Sequence, residues 1–261
     1  MLLLALTLLP GCKKVEPAPE ELDALLHYTW QKYDDGLEEE LANAIVNFDD
    51  AVEGGELDPP DGSVTDLSDD EIALVGVTDR PASDAAGLFM TNRFACSMKQ
   101  LEEILSYGDQ NELYDGVYES YARDFDGNRS EWLKTDAERL DYTIRYTSKI
   151  PVLGGEYDAV AKGALRQVPT EFGRAIVQRS YMPEPADFGP DEDKKYVDHD
   201  YQLEVYFDAG GGEVVHVYGM WRSALYGGTL DTDNSALQRT MLGNMFDWDD
   251  NTEKLCEEGR P

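Results

Sequence analysis

Arg139-Leu140-Asp141-Tyr142-Thr143-Ile144-Arg145-Tyr146-Thr147-Ser148-Lys149-Ile150 carries apolar side chains at Leu140, Tyr142, Ile144, Tyr146 and Ile150, with polar residues between them. A strand sends successive side chains to opposite faces, so this period of two predicts a strand with one wet face. Gly154-Gly155 turns the chain into a second predicted strand over 156–168, and a third follows over 172–182. Beyond the acidic, proline-rich loop from Pro183 to Lys195 lies a hairpin. Tyr201, Leu203, Val205 and Phe207 run out, Gly210-Gly211-Gly212 turns, and Val214 to Ser223 returns. The expectation is an antiparallel sheet of about five strands.

On either side of this block the period changes to that of a helix. Downstream, Leu237, Met241, Met245, Trp248, Thr252 and Leu255 mark one stripe of a long C-terminal helix, widened by Leu242 and Phe246. Upstream, Leu22, Leu26, Trp30, Tyr33, Leu37, Leu41, Ile45, Phe48 and Val52 recur at steps of three or four. That helix is expected to break near Gly36 and to end at Gly54-Gly55. Residues 56–71 read as a surface loop, 72–77 as a short strand, and the chain from there to Cys96 as irregular. Ser97 and Gln100 fit a capping box that opens a helix ending near Gly108, and a further helix is expected over 111–123, with Leu113, Tyr114, Val117, Tyr118 and Tyr121 inward. The fold class is therefore α+β: N-terminal helices, an antiparallel sheet, and a long C-terminal helix packed on it. Residues 22–261 form one domain in this reading, with 22–71 as a helical appendage.

The chain holds 54 acidic and 22 basic residues, a formal charge of −32. Such a field repels nucleic-acid phosphates and anionic lipid headgroups, which excludes nucleic acid as a partner class. With 41% apolar residues there is enough to build a real core.

At the N-terminus, residues 1–9 are an uncharged and mostly leucine run, too short to cross a bilayer, which needs about 20 apolar residues as a helix. Leu9-Pro10-Gly11-Cys12 resembles the bacterial lipobox. The resemblance implies that residues 1–11 are a signal peptide removed before Cys12, that the Cys12 sulfur carries diacylglycerol, and that residues 12–21 form a lipidated tether. Two or more acyl chains make attachment to a bilayer effectively permanent. Lys13, where Asp would favour retention, is similar to lipoproteins sent to the outer membrane of Gram-negative bacteria. The domain would then face the periplasm or the exterior. With Cys12 set aside, Cys96 and Cys256 are an even pair: either a disulfide closing a loop of about 160 residues, or two buried thiols.

Candidates for chemistry are few. Asp124, Asp126 and Asn128 alternate as calcium ligands do at the start of an EF-hand loop, but Arg129 takes the glycine position and Thr135 stands where a bidentate Glu should close the site. A polar turn accounts for them better, and no metal or cofactor is expected. In Asp198-His199-Asp200 the extended backbone separates the imidazole from both carboxylates, so a solvated strand entry is expected. An Asp or Ser within Asp231-Thr232-Asp233-Asn234-Ser235 should cap the C-terminal helix. No nucleophile elbow, phosphate loop, dinucleotide fingerprint or zinc-protease motif occurs, so nothing supports an enzyme. The remaining constellation is aromatic: Tyr142, Tyr146, Tyr157, Tyr201, Phe207, Tyr218 and Trp221 lie on predicted strands. Tyr142, Tyr146, Tyr157, Phe207, Tyr218 and Trp221 are the candidate lining of a ligand pocket beneath the C-terminal helix.

The order of helices, antiparallel meander and long C-terminal helix over residues 97–258 resembles START-like helix-grip folds, which implies an apolar ligand held between sheet and helix. The reading that follows is a membrane-anchored, non-enzymatic binding or structural lipoprotein of the cell envelope. Alternatives are an acidic module that meets an envelope protein and a hydrolase whose catalytic residues lack a motif. A cavity lined by the strand aromatics separates the first from the others.

Overall fold

The computed structural model describes residues 14–53, 62–114, 116–149, 155–189, 195–226, 231–232 and 234–261. Cys12 and the signal segment lie outside the described residues. Two helices open the chain, α1 (Leu22–Lys32) and α2 (Glu38–Glu53), separated at Gly36 as the sequence predicts. Then come β1 (Ser63–Val64), α3 (Asp69–Ala73), β2 (Ala86–Ala95), α4 (Met98–Leu105), β3 (Tyr118–Asp126) and α5 (Arg129–Leu133). Strands β4 (Arg139–Lys149), β5 (Glu156–Thr170), β6 (Gly173–Tyr181), β7 (Tyr196–Gly210) and β8 (Glu213–Leu225) lead to α6 (Ser235–Glu257).

The strands form one antiparallel sheet in the order β1-β2-β8-β7-β6-β5-β4-β3, so it has eight strands rather than about five. The five expected strands are present as β4 to β8; the other three were misread for physical reasons. Tyr118 and Tyr121 are three apart, which imitates a helix, but β3 has a bulge between Tyr118 and Ser120. The extra residue returns both rings to one face, and their centroids lie 5.0 Å apart. Residues 111–123 are therefore the approach to an edge strand and its first half, with only a short 3-10 turn at Gln110–Glu112. In β2, Gly87 and the polar run Thr91-Asn92-Arg93 hide the period, although all ten residues pair with β8. Residues 72–77 are not a strand. Ser68 and Glu71 form a capping box that starts α3 instead.

Both faces of the sheet are covered. On the outer face α1 and α2 bury Leu25, Leu26, Trp30, Leu41, Ile45 and Phe48 against Tyr201, Leu203, Val205, Phe207, Val217 and Trp221. Trp30 meets Tyr201 and Trp221 edge-on at 5.9 and 5.8 Å. This core includes strand residues from β5 to β8, so the N-terminal helices are a layer of the domain's core. Ahead of them, the Glu16 amide donates to the Glu40 carboxylate at 3.0 Å, and the Asn47 side-chain amide donates to the carbonyls of Ala18 and Pro19, which seats part of segment 12–21 on α2.

On the inner face α6 crosses β2 and β8, with Leu237, Met241, Leu242, Met245 and Phe246 against Leu88, Met90 and Met220. Asn234 caps it by accepting from the amides of Ala236 and Leu237, so the cap falls between the Asp and Ser expected to supply it. At its other end Cys256 is joined to Cys96 by a disulfide with Cα atoms 5.3 Å apart. Gln100 adds a 2.8 Å bond to the carbonyl of Cys256, and Glu253 accepts from the amide of Ala95 at 2.9 Å. The C-terminal half of α6 is thereby fixed to the end of β2 and the start of α4.

Candidate functional site

While α6 lies over β2 and β8, α4 and α5 cover one end of β4 to β6 through Leu101, Ile104 and Trp132 against Leu140, Leu165 and Ile176, and the other end of these strands faces α6 across a gap. The space left encloses a cavity of about 760 Å³. Its walls follow from strand parity. Tyr118 and Tyr121 on β3, Tyr142, Ile144 and Tyr146 on β4, and Tyr157 on β5 all point inward. The rings brace one another: Tyr118 meets Tyr146 at 5.3 Å and Tyr146 meets Tyr157 at 6.3 Å, both edge-on. Such pairs contribute about 0.5–1.5 kcal/mol each beyond their buried area, which holds the wall in one arrangement. Burial pushes the Tyr142, Tyr146 and Tyr157 hydroxyls above the ordinary phenol range, so they stay protonated donors. The facing wall is α6, through Leu237, Met241, Met245 and Trp248. Exposed lining residues mark the mouth: Gly116 and Val117 on one side, Thr240, Asn244, Asp247 and Asn251 of α6 on the other.

The floor is polar. Gln178 and Ser180 on β6, Asp200, Gln202 and Glu204 on β7, and Arg222 on β8 face the cavity. Their parity is opposite to that of Tyr201, Leu203 and Val205, which belong to the outer core. Asp200 binds Arg222 at 2.6 Å and accepts from Gln202 at 3.0 Å. Glu204 accepts from Gln178 at 2.7 Å and from the Tyr206 hydroxyl.

Behind Glu204 sits His216, fully buried on β8 and stacked on Tyr206 at 4.1 Å. Its Nδ1 lies 2.9 Å from Asp249 of α6, which also accepts from Asn92 of β2 at 3.1 Å, and its Nε2 lies 3.6 Å from Glu204. Burial alone would lower the His216 pKa, but the Asp249 carboxylate, helped by Glu204, raises it to about 9. A cationic imidazole between two carboxylates therefore joins α6 to the sheet beside the cavity.

Of the six residues expected to line a pocket, Tyr142, Tyr146, Tyr157 and Tyr218 do so. Phe207 and Trp221 do not; both are buried in the outer core beneath α1 and α2. Trp221 is three residues from Tyr218 on one strand, so the two must lie on opposite faces, and Phe207 shares parity with Leu203 and Val205. The sequence reading missed the polar floor. Asp200, Gln202 and Glu204 alternate with apolar residues in β7, a legible pattern whose wet face turns out to line a cavity. In Asp198-His199-Asp200 the last two residues fall on opposite faces as expected, but an irregularity in the ladder between Val197 and His199 interrupts the alternation at Asp198. The entry is not solvated, however: His199 is buried on the outer side against Tyr201 at 2.8 Å, and Asp200 is buried on the inner one. Asp124 is paired with Arg145, and Asn128 caps α5, which accounts for two of the three calcium candidates. Among the described residues no group of three His, Cys, Asp or Glu side chains is placed to hold a metal, and no helix is long and apolar enough to cross a membrane.

An antiparallel sheet closed around a C-terminal helix, with a cavity between them, defines a helix-grip architecture. No protein-family model matches the sequence, and no curated protein matches it. Among solved structures the chain is similar to a STAR-related lipid transfer protein from Xanthomonas axonopodis, with TM-score 0.44 and 12% identity over 67% of this chain and 87% of that one. It is also similar to a START superfamily protein from Mycobacterium smegmatis, with TM-score 0.40 and 8% identity over 66% and 97% of the two chains. A third similar structure, norcoclaurine synthase from Thalictrum flavum, has TM-score 0.38 and 12% identity over 66% and 86%. Likenesses at this level concern shape alone.

Proposed function

We propose that this chain binds an apolar small molecule between its sheet and α6 while lipid on Cys12 holds it to a bacterial membrane, with the domain facing the periplasm or the exterior. The observation that carries the binding reading is the cavity of about 760 Å³, walled by tyrosines and by α6 methionines. Ligand sites run to about 300–1,000 Å³, mostly apolar with a few placed polar groups, and this cavity fits that description. The lipobox supports the anchor, and the charge of −32 supports a body that stands off anionic headgroups.

The binding reading is tested with the neutral apolar dye N-phenyl-1-naphthylamine, whose fluorescence rises on leaving water. The full mature chain should take it up saturably. Ala161→Phe, which puts a ring into the cavity from β5, should weaken uptake by about tenfold or more, the effect of roughly 1.4 kcal/mol. No uptake, or equal uptake by both proteins, overturns the reading.

The anchor is tested on protein extracted from membranes of a producing bacterium. Its intact mass should begin at Cys12 and include diacylglycerol, and Cys12→Ala should move the protein from the membrane pellet to the soluble fraction. A retained Met1 with an unmodified thiol would end the anchoring proposal.

A further inference from the structure

The polar floor has a shape that points to the ligand's own shape. Gln178 faces Glu204 across the β6–β7 ladder, Ser180 faces Gln202, and Asp200 faces Arg222 across the β7–β8 ladder. From Glu204 to Asp200 is four residues along β7, about 14 Å at roughly 3.4 Å per residue. Polar side chains thus form a continuous stripe along the floor, while tyrosines and the methionines of α6 form the other sides. A lipid with its polar group at one end would satisfy one end of the stripe and lay hydrocarbon over the rest, leaving buried polar groups desolvated.

From this geometry we infer, building on the binding reading above, that the ligand is facially amphipathic: a compact apolar body with hydroxyl groups distributed along one edge. That edge lies on the stripe from Glu204 to Arg222, and the apolar face meets Met241, Met245 and the tyrosines. The unpaired buried polar atoms of the cavity lining include the Tyr121 and Tyr142 hydroxyls and Arg123 Nε on the tyrosine wall, and two on the stripe, which indicate the hydrogen bonds the ligand edge supplies there. Gln178 Oε1, in a side chain more than nine-tenths buried, accepts from no described group, and Arg222 Nε donates to none. The edge therefore offers a donor near Gln178 and an acceptor near Arg222, and a hydroxyl serves as either. Full charges are not called for. Arg222 already has Asp200, and Glu204 already has Tyr206 and Gln178.

The test compares two neutral probes on one skeleton by calorimetric titration of the full mature chain: methyl cholate, whose hydroxyls lie on one face, and methyl cholanate, which lacks them. A merely greasy cavity prefers methyl cholanate, since each hydroxyl buried without a partner weakens binding. The stripe should reverse that order and favour methyl cholate by about tenfold or more, because polar groups built to pair reject the analogue that cannot pair with them. Gln178→Leu should reduce the ratio towards one while leaving methyl cholanate bound; Gln202→Leu, in the middle of the stripe, supplies a second variant with the same expectation.

A wild-type preference for methyl cholanate, a ratio near one, or a ratio unchanged in both variants overturns the facial reading and leaves the cavity as an apolar site. If neither steroid binds but the naphthylamine dye does, the facial reading fails alone. If the dye also fails, both readings fall.

Discussion

Reduction of the Cys96–Cys256 disulfide is expected to lower the free energy of unfolding by about 5 kcal/mol. The two cysteines are 160 residues apart, and in the chain-entropy model a closed loop of that length removes roughly this much freedom from the unfolded chain. Stabilities of folded domains are about 5–15 kcal/mol, so the bond accounts for a large share of the total. Its position adds a local consequence. Cys256 is in the last turn of α6 and Cys96 directly follows β2, so the bond holds the helix that forms one wall of the cavity. The polar contacts next to the bond, Gln100 on the Cys256 carbonyl and Glu253 on the Ala95 amide, are single hydrogen bonds worth about 1 kcal/mol each, so after reduction α6 relies on its packing, on Tyr114 against Trp248 and Thr252, and on the His216–Asp249 pair. The measurement is urea unfolding with and without dithiothreitol, with the Cys96→Ser, Cys256→Ser double variant as the irreversible counterpart. Reduced protein and variant should agree, and a loss under about 1 kcal/mol in both would show that the bond does not set stability.

How much of this molecule can be read from its residues depends on which interactions are local. Strands β4 to β8 were visible because their alternation is regular and each is bounded by turn residues, and α6 because one apolar stripe runs its length. A bulge hid β3 by making a strand carry tyrosines at helical spacing, and the edge pairing that produces the bulge is not written in residues 118–121 themselves. Strand β2 was hidden because its order comes from its partner β8, far along the chain, with Ala86 paired to Arg222 and Ala95 to Glu213. The aromatic wall was half legible. The tyrosines were identifiable as strand residues, but choosing between faces needed parity applied within each strand, and that step separates Tyr218 from Trp221 without any structure. The polar floor was misassigned because an alternating polar face is ordinarily a solvated one. Here it is enclosed, since the sheet curls and α6 roofs it. The pairing of His216 with Asp249 had no local signal at all: a lone histidine in an apolar strand and one acid among 54 gain meaning only when α6 packs across β8.

That pairing should make stability fall as the solution becomes alkaline. His216 carries its proton in the folded protein up to about pH 9, held by Asp249 and Glu204 against the cost of burial, whereas in the unfolded chain it loses the proton near 6.5. Below pH 6.5 both states are protonated and the whole contribution is present. Between 6.5 and 9 the folded state binds a proton that the unfolded state lacks, so stability drops by up to about 1.4 kcal/mol per pH unit. Above 9 the contribution is gone, a total of roughly 3 kcal/mol over the window. Asp249→Asn keeps the shape but removes the charge that faces Nδ1 at 2.9 Å, leaving the imidazole with Glu204 at 3.6 Å. Removing one member of a buried pair costs about 3–5 kcal/mol, so the variant should lose that much at pH 6 and much less at pH 9.5, where the wild-type imidazole is neutral as well. Chemical unfolding of both proteins from pH 6 to 9.5 measures the convergence. Because Asp249 is on α6 and His216 on β8, the naphthylamine dye should also bind more weakly to the variant, as the wall formed by α6 loses its mid-helix attachment. Two parallel stability curves, separated by the same amount at every pH, would show that the histidine is neutral in the fold and that α6 is held by its other contacts and the disulfide.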